Sequence, residues 1–469
     1  MDLQIFFSHI LSFLLMVFFF GFAVFIHELG HLLVAMKCGL HVERFSVGFG
    51  KTFFKWKFRG VECWLSMIPF GGYVALPQME PTDTPKSYDD KDLPHAKPIP
   101  RILVAFAGPL FNIILGFILA TIIWQIGTEQ PVRETSITVG TIPKTYMDLD
   151  KKEQKNPEHV AGLEVGDVIT HVNGQKITRG FYGNMDYFIF AEDSLINLSV
   201  ERGGEKLNIK YTTAKNPKLE GVGYPLFEPY KKTYVGGVSP ESAIEKAGVK
   251  KGDLFLEING EKVQNPSWAH SKLTDTIKGV KKDSDLNDVV MKMQREDGTV
   301  YDVTLQAKFM SIEYFTHMGL NKQKVEGYKY GVGFSPKFKL YHDTPLYQFE
   351  NALLKTYYSL RSIVNPKSHI GIKHMSGPVG IGHGMARMFN IGFMQGLIMV
   401  TIINFSLAFF NLLPLPVLDG GHITLATMEL VSRKRVSERF VRPVFYAFVM
   451  MLITFALFVT YNDVLRFFR

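Results

Sequence analysis

Four stretches of the chain stay apolar for the length of a bilayer crossing, which takes roughly 20 residues as a helix. They centre on Leu11 to Ile26, Ile102 to Trp124, Ile391 to Leu413 and Val444 to Tyr461, and the last three hold no charged residue. One such run could be a buried core helix; four in one chain predict a four-span membrane protein. The first run lacks a basic start, its first charge being Asp2, and no small-residue cleavage site follows it. It therefore reads as a span rather than a signal peptide. Between the first two runs, Val42 to Phe49, Thr52 to Phe58 and Val61 to Ile68 alternate as strands do. Between the second and third, the pattern becomes short alternating segments punctuated by glycine.

That middle region repeats itself. Ala161-Gly162-Leu163-Glu164-Val165-Gly166-Asp167 leads to Val172-Asn173-Gly174, and Ala247-Gly248-Val249-Lys250-Lys251-Gly252-Asp253 leads to Ile258-Asn259-Gly260. Each copy reads as a glycine-stopped helix end, a Gly-Asp turn, a strand and an Asn-Gly hairpin turn. Each closes on a further strand pair, Leu198 to Tyr211 or Val289 to Leu305. The pattern resembles PDZ domains, which can capture an extended peptide by strand addition. Their Gly-Leu-Gly-Phe carboxylate-binding signature is not evident; Val235-Gly236-Gly237-Val238 lies near the start of the second copy.

Composition agrees with the spans. Of 469 residues only 20% are charged, while 13% are aromatic, including 39 Phe. A soluble chain carries more charge. The net charge of +8 sits in loops, which argues against nucleic acid as a partner. Lys37, Arg44, Lys51, Lys55, Lys57, Arg59, Lys86, Lys91, Lys97 and Arg101 lie between spans one and two; Arg433, Lys434, Arg435, Arg439 and Arg442 lie between three and four. The positive-inside rule puts both loops in the cytoplasm. Both termini and residues 125–390 then face the periplasm or cell exterior of a bacterium. Cys38 and Cys63 suggest neither a disulfide scaffold nor a Cys-x-x-Cys metal site.

The chemistry concentrates at His27-Glu28-Leu29-Gly30-His31. Histidines at i and i+4 share a helix face, as zinc ligands must, and Glu28 beside them suits proton transfer from water at the metal. These groups directly follow sixteen hydrocarbon-compatible residues, where ionisable side chains are expensive unless they serve a function. A third ligand could come from Asn411-Leu412-Leu413-Pro414-Leu415-Pro416-Val417-Leu418-Asp419-Gly420-Gly421-His422, where Asp419 and His422 both have ligand chemistry. The predicted topology puts this run on the same side of the membrane as the end of the first span. Its prolines open the helix, which is tolerated where backbone lines a cavity. His369, His374 and His383 read as interfacial or solvent-facing.

Together, His27 to His31 as His-Glu-x-x-His and Asn411 to Gly420 as Asn-x-x-Pro-x-Pro-x-Leu-Asp-Gly resemble the site-2 protease family of intramembrane zinc metalloproteases, peptidase family M50. The layout of spans and PDZ-like modules is similar to its bacterial regulator-of-sigma-E protease branch. The resemblance implies one Zn2+ per chain held by His27, His31 and Asp419, with Glu28 activating water. It implies that Asn112, in Ala107-Gly108-Pro109-Leu110-Phe111-Asn112, and Asn411 position substrate or transition state. It further implies that Pro69-Phe70-Gly71-Gly72-Tyr73-Val74 belongs to a membrane-reentrant hairpin whose Gly72 and Tyr73 meet the substrate. A strand edge there could hold an unwound substrate by backbone pairing.

The expected fold is a multi-span α-helical membrane protein with four transmembrane helices, a membrane-associated β-hairpin region and two inserted β-rich PDZ domains. Its divisions are 1–38 (first span), 39–100 (β region), 101–125 (second span), 126–228 and 229–315 (PDZ domains), 316–390 (membrane-apposed linker), 391–425 (third span with the Asp419 motif) and 426–469 (basic loop and fourth span). The expected function is intramembrane proteolysis of single-span proteins of the anti-sigma factor type, and of remnant signal peptides, after an upstream protease has cut the ectodomain. The PDZ-like modules would act as a size filter, with membrane lipid as the other partner. A non-catalytic PDZ-bearing scaffold is the alternative, and the intact Glu28 with a complete ligand set weighs against it.

Overall fold

A computed structural model describes residues 3–80, 84–216, 221–315 and 322–467. The chain divides into two compact units: Met1–Thr128 with His342–Tyr357 and Met375–Arg469, and Glu129–Tyr341 with Tyr358–His374.

The first unit is helical. The principal helices of the chain are α1 (Leu3–Lys37), α2 (Pro98–Ile126), α3 (Pro345–Val364, shared between the units), α4 (Pro378–Ile391), α5 (Phe393–Asn411), α6 (Asp419–Ser432) and α7 (Glu438–Phe467). Among the described residues, four segments are long and apolar enough to cross a membrane, one for each expected span: Phe7–Lys37, Pro98–Ile126, Phe393–Asn411 and Glu438–Arg466. Proline opens α2, where a missing N–H costs nothing. Gly127 at φ 82° ends it, its N–H bonding the Ile123 carbonyl. Met16, Leu115, Leu119, Met385, Phe389, Leu397 and Val400 form a buried cluster joining α1, α2, α4 and α5. Close approach depends on glycine: a Cβ at Gly30 would lie 2.5 Å from the Ala107 carbonyl oxygen.

The third apolar run does not continue as one helix to its aspartate. It stops at Asn411, and Asp419 is the first residue of a separate helix, α6. Pro414 and Pro416 cannot supply the N–H groups a continuous helix needs. A Cβ at Gly420 would lie 2.2 Å from the Leu413 oxygen, and one at Gly421 2.3 Å from the Leu415 oxygen. Glycine here lets α6 start directly against the broken segment.

Strands β1 (Arg44–Phe58) and β2 (Val61–Ala75) follow α1. Phe58 to Phe54 pairs with Val61 to Leu65, as a tight hairpin would, while Arg44 to Val47 pairs antiparallel with Ala75 to Gly72. Gly72 and Tyr73 therefore lie in strand β2, paired with Val47 and Ser46.

In the second unit, strands β3 (Ile137–Thr141), β4 (Val168–Val172), β5 (Leu195–Arg202), β6 (Glu205–Thr212) and β7 (Glu228–Pro229) form a sheet of order β6-β5-β4-β3-β7. Strands β8 (Thr233–Val238), β9 (Leu254–Ile258), β10 (Val289–Gln294) and β11 (Val300–Leu305) precede a separate hairpin, β12 (Lys308–Phe315) with β13 (Lys322–Lys329). Strand β14 (Val332–Ser335) then completes the second sheet, β11-β10-β9-β8-β14. The matching strand orders give the sequence repeat a structural counterpart. Both Asn-Gly pairs turn as expected, with Asn173 and Asn259 at φ 51° and 50° and Gly174 and Gly260 at 77°.

One feature escaped the sequence reading. Gly331-Val332-Gly333-Phe334, a run of the Gly-Leu-Gly-Phe type, leads along β14 and borders a cavity of about 650 Å³ with Leu273, Thr274 and Ile277 of the helix Pro266–Ile277. It was missed because the chain inserts the 308–329 hairpin before returning to close the sheet, beyond the expected module end at 315. In the first sheet the corresponding edge, β7, has two residues, and one is Pro229.

Candidate metal centre

Helix α1 carries His27 and His31 one turn apart, both 8% exposed. Their Nε2 atoms lie 3.1 Å apart. Asp419, at the start of α6, brings Oδ2 to 3.3 Å from His27 Nε2 and Oδ1 to 3.4 Å from His31 Nε2. Among the described residues this trio is the one group of three or more His, Cys, Asp or Glu able to hold a metal ion. Donor separations suit zinc: tetrahedral bonds of about 2.0–2.1 Å separate ligand atoms by about 3.3 Å.

Backbone and amide groups of α2 orient the rings. His31 Nδ1–H donates to the Val104 carbonyl at 2.7 Å, which leaves Nε2 free to bind metal. Asn112 is fully buried, and its amide stands 3.1 Å from His27 Nδ1 while its oxygen has no other hydrogen-bond partner. It is Asn112 Nδ2 that faces the ring; turning the amide over would bring the unpartnered oxygen there to accept Nδ1–H and give His27 the same tautomer. Asn411 Nδ2 stands 3.4 Å from His27 Nε2. Gly108 makes the space, since a Cβ there would lie 2.2 Å from His31 Nε2 and 2.8 Å from His27 Cε1.

Glu28, Gly72, Tyr73, Val74, Val417, His422 and Phe445 line a cavity of about 470 Å³ with the three metal-capable side chains. Glu28 and Val74 face each other across this cavity. A Cβ at Gly72 would come within 3.1 Å of Glu28 Cγ and 2.7 Å of the Ser46 oxygen. The Tyr73 hydroxyl accepts from Arg44 Nη1 at 3.5 Å, and its ring stacks on Phe49. Every residue singled out from the sequence as catalytic, ligating or substrate-positioning thus lies at or beside one site. His422 lines the cavity without joining the ligand trio. His369 instead stands by Thr213 in the second unit, at 3.3 Å. Sequence reasoning missed the Val104 carbonyl, because a backbone acceptor leaves no mark on residue type.

The model of peptidase family M50 matches residues 15–455. The chain belongs to peptidase family M50. A Haemophilus influenzae relative named regulator of sigma E protease is 28% identical over 456 residues, covering 94% of this chain and 96% of its own. Protease RseP of Yersinia pestis is 25% identical, over 89% and 90%. A Vibrio cholerae protein, provisionally named a zinc metalloprotease, is 27% identical over 89% and 90%. Family membership and the His27, His31 and Asp419 cluster make this chain a zinc metalloendopeptidase of the site-2 protease type, an enzyme of membrane-embedded substrates.

Proposed function

We propose that the chain performs regulated intramembrane proteolysis on single-span proteins of the anti-sigma factor type, after another protease has shortened their ectodomains. The observation that carries the proteolytic reading is the convergence of His27, His31, Asp419 and Glu28 on one cavity within a helical, apolar unit. The sigma-factor connection rests on the name of the Haemophilus influenzae relative.

His27, His31 and Asp419 would hold zinc, which when bound polarises a carbonyl and lowers the pKa of water. Glu28 takes a proton from the attacking water and returns it to the leaving amine. The Gly72–Ala75 segment, paired with Arg44–Val47, presents its cavity side to an extended substrate by strand addition. A helical substrate has its carbonyls engaged in its own hydrogen bonds, so such a strand edge favours the unwound form. Asn112 and Asn411 orient His27 and the reacting carbonyl.

Four spans and bacterial relatives support an inner-membrane location. The basic loops favour a cytoplasmic-side catalytic site with the β-rich segments in the periplasm.

The test is cleavage of tagged single-span substrates by purified protein, comparing wild type with Glu28→Gln and measuring zinc in both. Cleavage lost in the variant, with zinc retained near one per chain, supports the mechanism. Cleavage that survives in Glu28→Gln defeats it.

A further inference from the structure

Arg101, Val104, Gly108 and Asn112 follow one another along α2 at steps of three and four residues, so they share one face of the helix. Three of them act directly on the histidines: Val104 through its carbonyl, Gly108 by leaving space, Asn112 through its amide. The fourth reaches the helix that carries the remaining ligand. Arg101 Nη1 donates to Glu429 Oε2 on α6 at 2.6 Å, with the two side chains only 11% and 10% exposed.

Stability alone is a poor account of this pair. Burying two charges costs desolvation that their attraction barely recovers, and Arg101 Nε has no hydrogen-bond partner. What a buried pair does well is select one register. Asp419, His422, Ala426 and Glu429 recur along one face of α6, and Glu429 lies ten residues from Asp419, about 15 Å along the axis. The helix is preceded by the broken Leu412–Leu418 segment, which fixes its rotation less firmly than continuous helix would.

We propose that Arg101 and Glu429 form a register clamp that sets where the Asp419 carboxylate stands relative to the two imidazoles. They are positioning residues, acting on the third ligand through α6. Face by face, α2 is then the template for the whole ligand set. The inference rests on the reading of Asp419 as a zinc ligand.

The test uses the full-length protein in detergent: wild type, Glu429→Gln, Arg101→Lys and the exchanged pair R101E/E429R. Zinc affinity is read by chelator competition, and the melting temperature of the metal-free protein is read in parallel. The expected result is a loss of zinc affinity of about tenfold in Glu429→Gln, the low end of the range for groups that orient metal ligands, because the pair acts on Asp419 through the length of α6. Arg101→Lys should lose less, because it keeps a positive charge facing Glu429 although it gives up the planar fork. The exchanged pair should recover most of the affinity, while metal-free melting moves little. Unchanged affinity in both single variants would overturn the clamp. So would an affinity loss matched by collapse of metal-free melting, because that marks a purely structural pair. A wild type that binds no zinc would instead overturn the ligand assignment on which the clamp depends.

Discussion

At Gly72 the fit is tight enough to exclude a single methyl group. The missing Cβ faces the Ser46 carbonyl on one side and Glu28 on the other, so alanine must displace either the strand pairing or the Glu28 side chain. Gly72→Ala should lower kcat/KM by about 10- to 100-fold, the scale of an ångström-sized misplacement at a reacting centre. Zinc content should stay at the wild-type level. Normal turnover in the variant would show that the strand edge and Glu28 are not coupled. Glu158, in the second unit, makes a different case. It is fully buried, accepts from Leu226 N–H at 3.0 Å, and leaves Oε2 without a partner. Burial pushes its carboxyl up to about 7 against an ordinary 4.5. A raised carboxyl pKa favours the protonated native form, so its contribution is full below pH 4.5 and lost as pH rises toward 7. The difference is worth roughly 3 kcal/mol. Tyr211, whose hydroxyl is also buried without a partner, faces the same carboxylate. Protection against hydrogen exchange, taken relative to the intrinsic base-catalysed rate, should therefore fall across residues 195–212 between pH 5 and 8, and Glu158→Gln should flatten that dependence. An unchanged profile in the variant would assign the effect to another group.

Among the elements, α7 shows how a polar residue in an apolar helix can be explained by its partner. Asp463 is 2% exposed, and its Oδ2 accepts from Gly377 N–H at 2.9 Å and Gly380 N–H at 2.7 Å. A carboxylate from one helix thus caps the first turn of another, α4, where backbone donors have no intrahelical acceptor. The glycines of Met375-Ser376-Gly377-Pro378-Val379-Gly380 find their reason here, since a Cβ at Gly380 would lie 2.6 Å from Asp463 Oδ1. Asp463→Ala should destabilise the packing of α7 on α4 by about 1.5–3 kcal/mol, the worth of hydrogen bonds to a charged group. A lowered melting temperature in detergent would report it, and melting like the wild type would refute it. The same element scale explains what could be read in advance. Spans, Asn-Gly hairpins and the paired modules follow from local periodicity and turn chemistry. Strand β14 does not, because its partner β8 lies almost a hundred residues earlier and the 308–329 hairpin intervenes.

For the whole molecule, the two units differ in the work their surfaces must do. The first exposes many large apolar side chains, including Phe440, Met450 and Leu457 on α7, as a lipid-facing surface does. The second has ordinary buried cores, one around Ile137, Leu163, Phe188 and Phe227 and another around Val235, Ile258 and Met291. If the inserted β-rich unit restricts substrates by size, a substrate with an intact folded ectodomain should be cleaved at least about tenfold more slowly than its trimmed form. The discrimination should fall on kcat/KM, where substrate selection is expressed. Equal rates for the two forms would remove the filter from the proposal.

The sequence alone determined the chemistry and most of the elements. A two-histidine motif at the end of an apolar run has no cheap structural use, and a second polar motif follows another such run. Turn residues with a preference for positive φ announced the hairpins. What only the tertiary structure decided is convergence and register. It brought the Asp419 carboxylate, and not His422, within reach of both imidazoles, and it enlisted the Val104 carbonyl, which belongs to every residue type alike. It also paired Arg101 with Glu429 across 328 positions. Local propensity acts between neighbours, whereas ligand geometry depends on contacts between segments that meet only when the chain is folded.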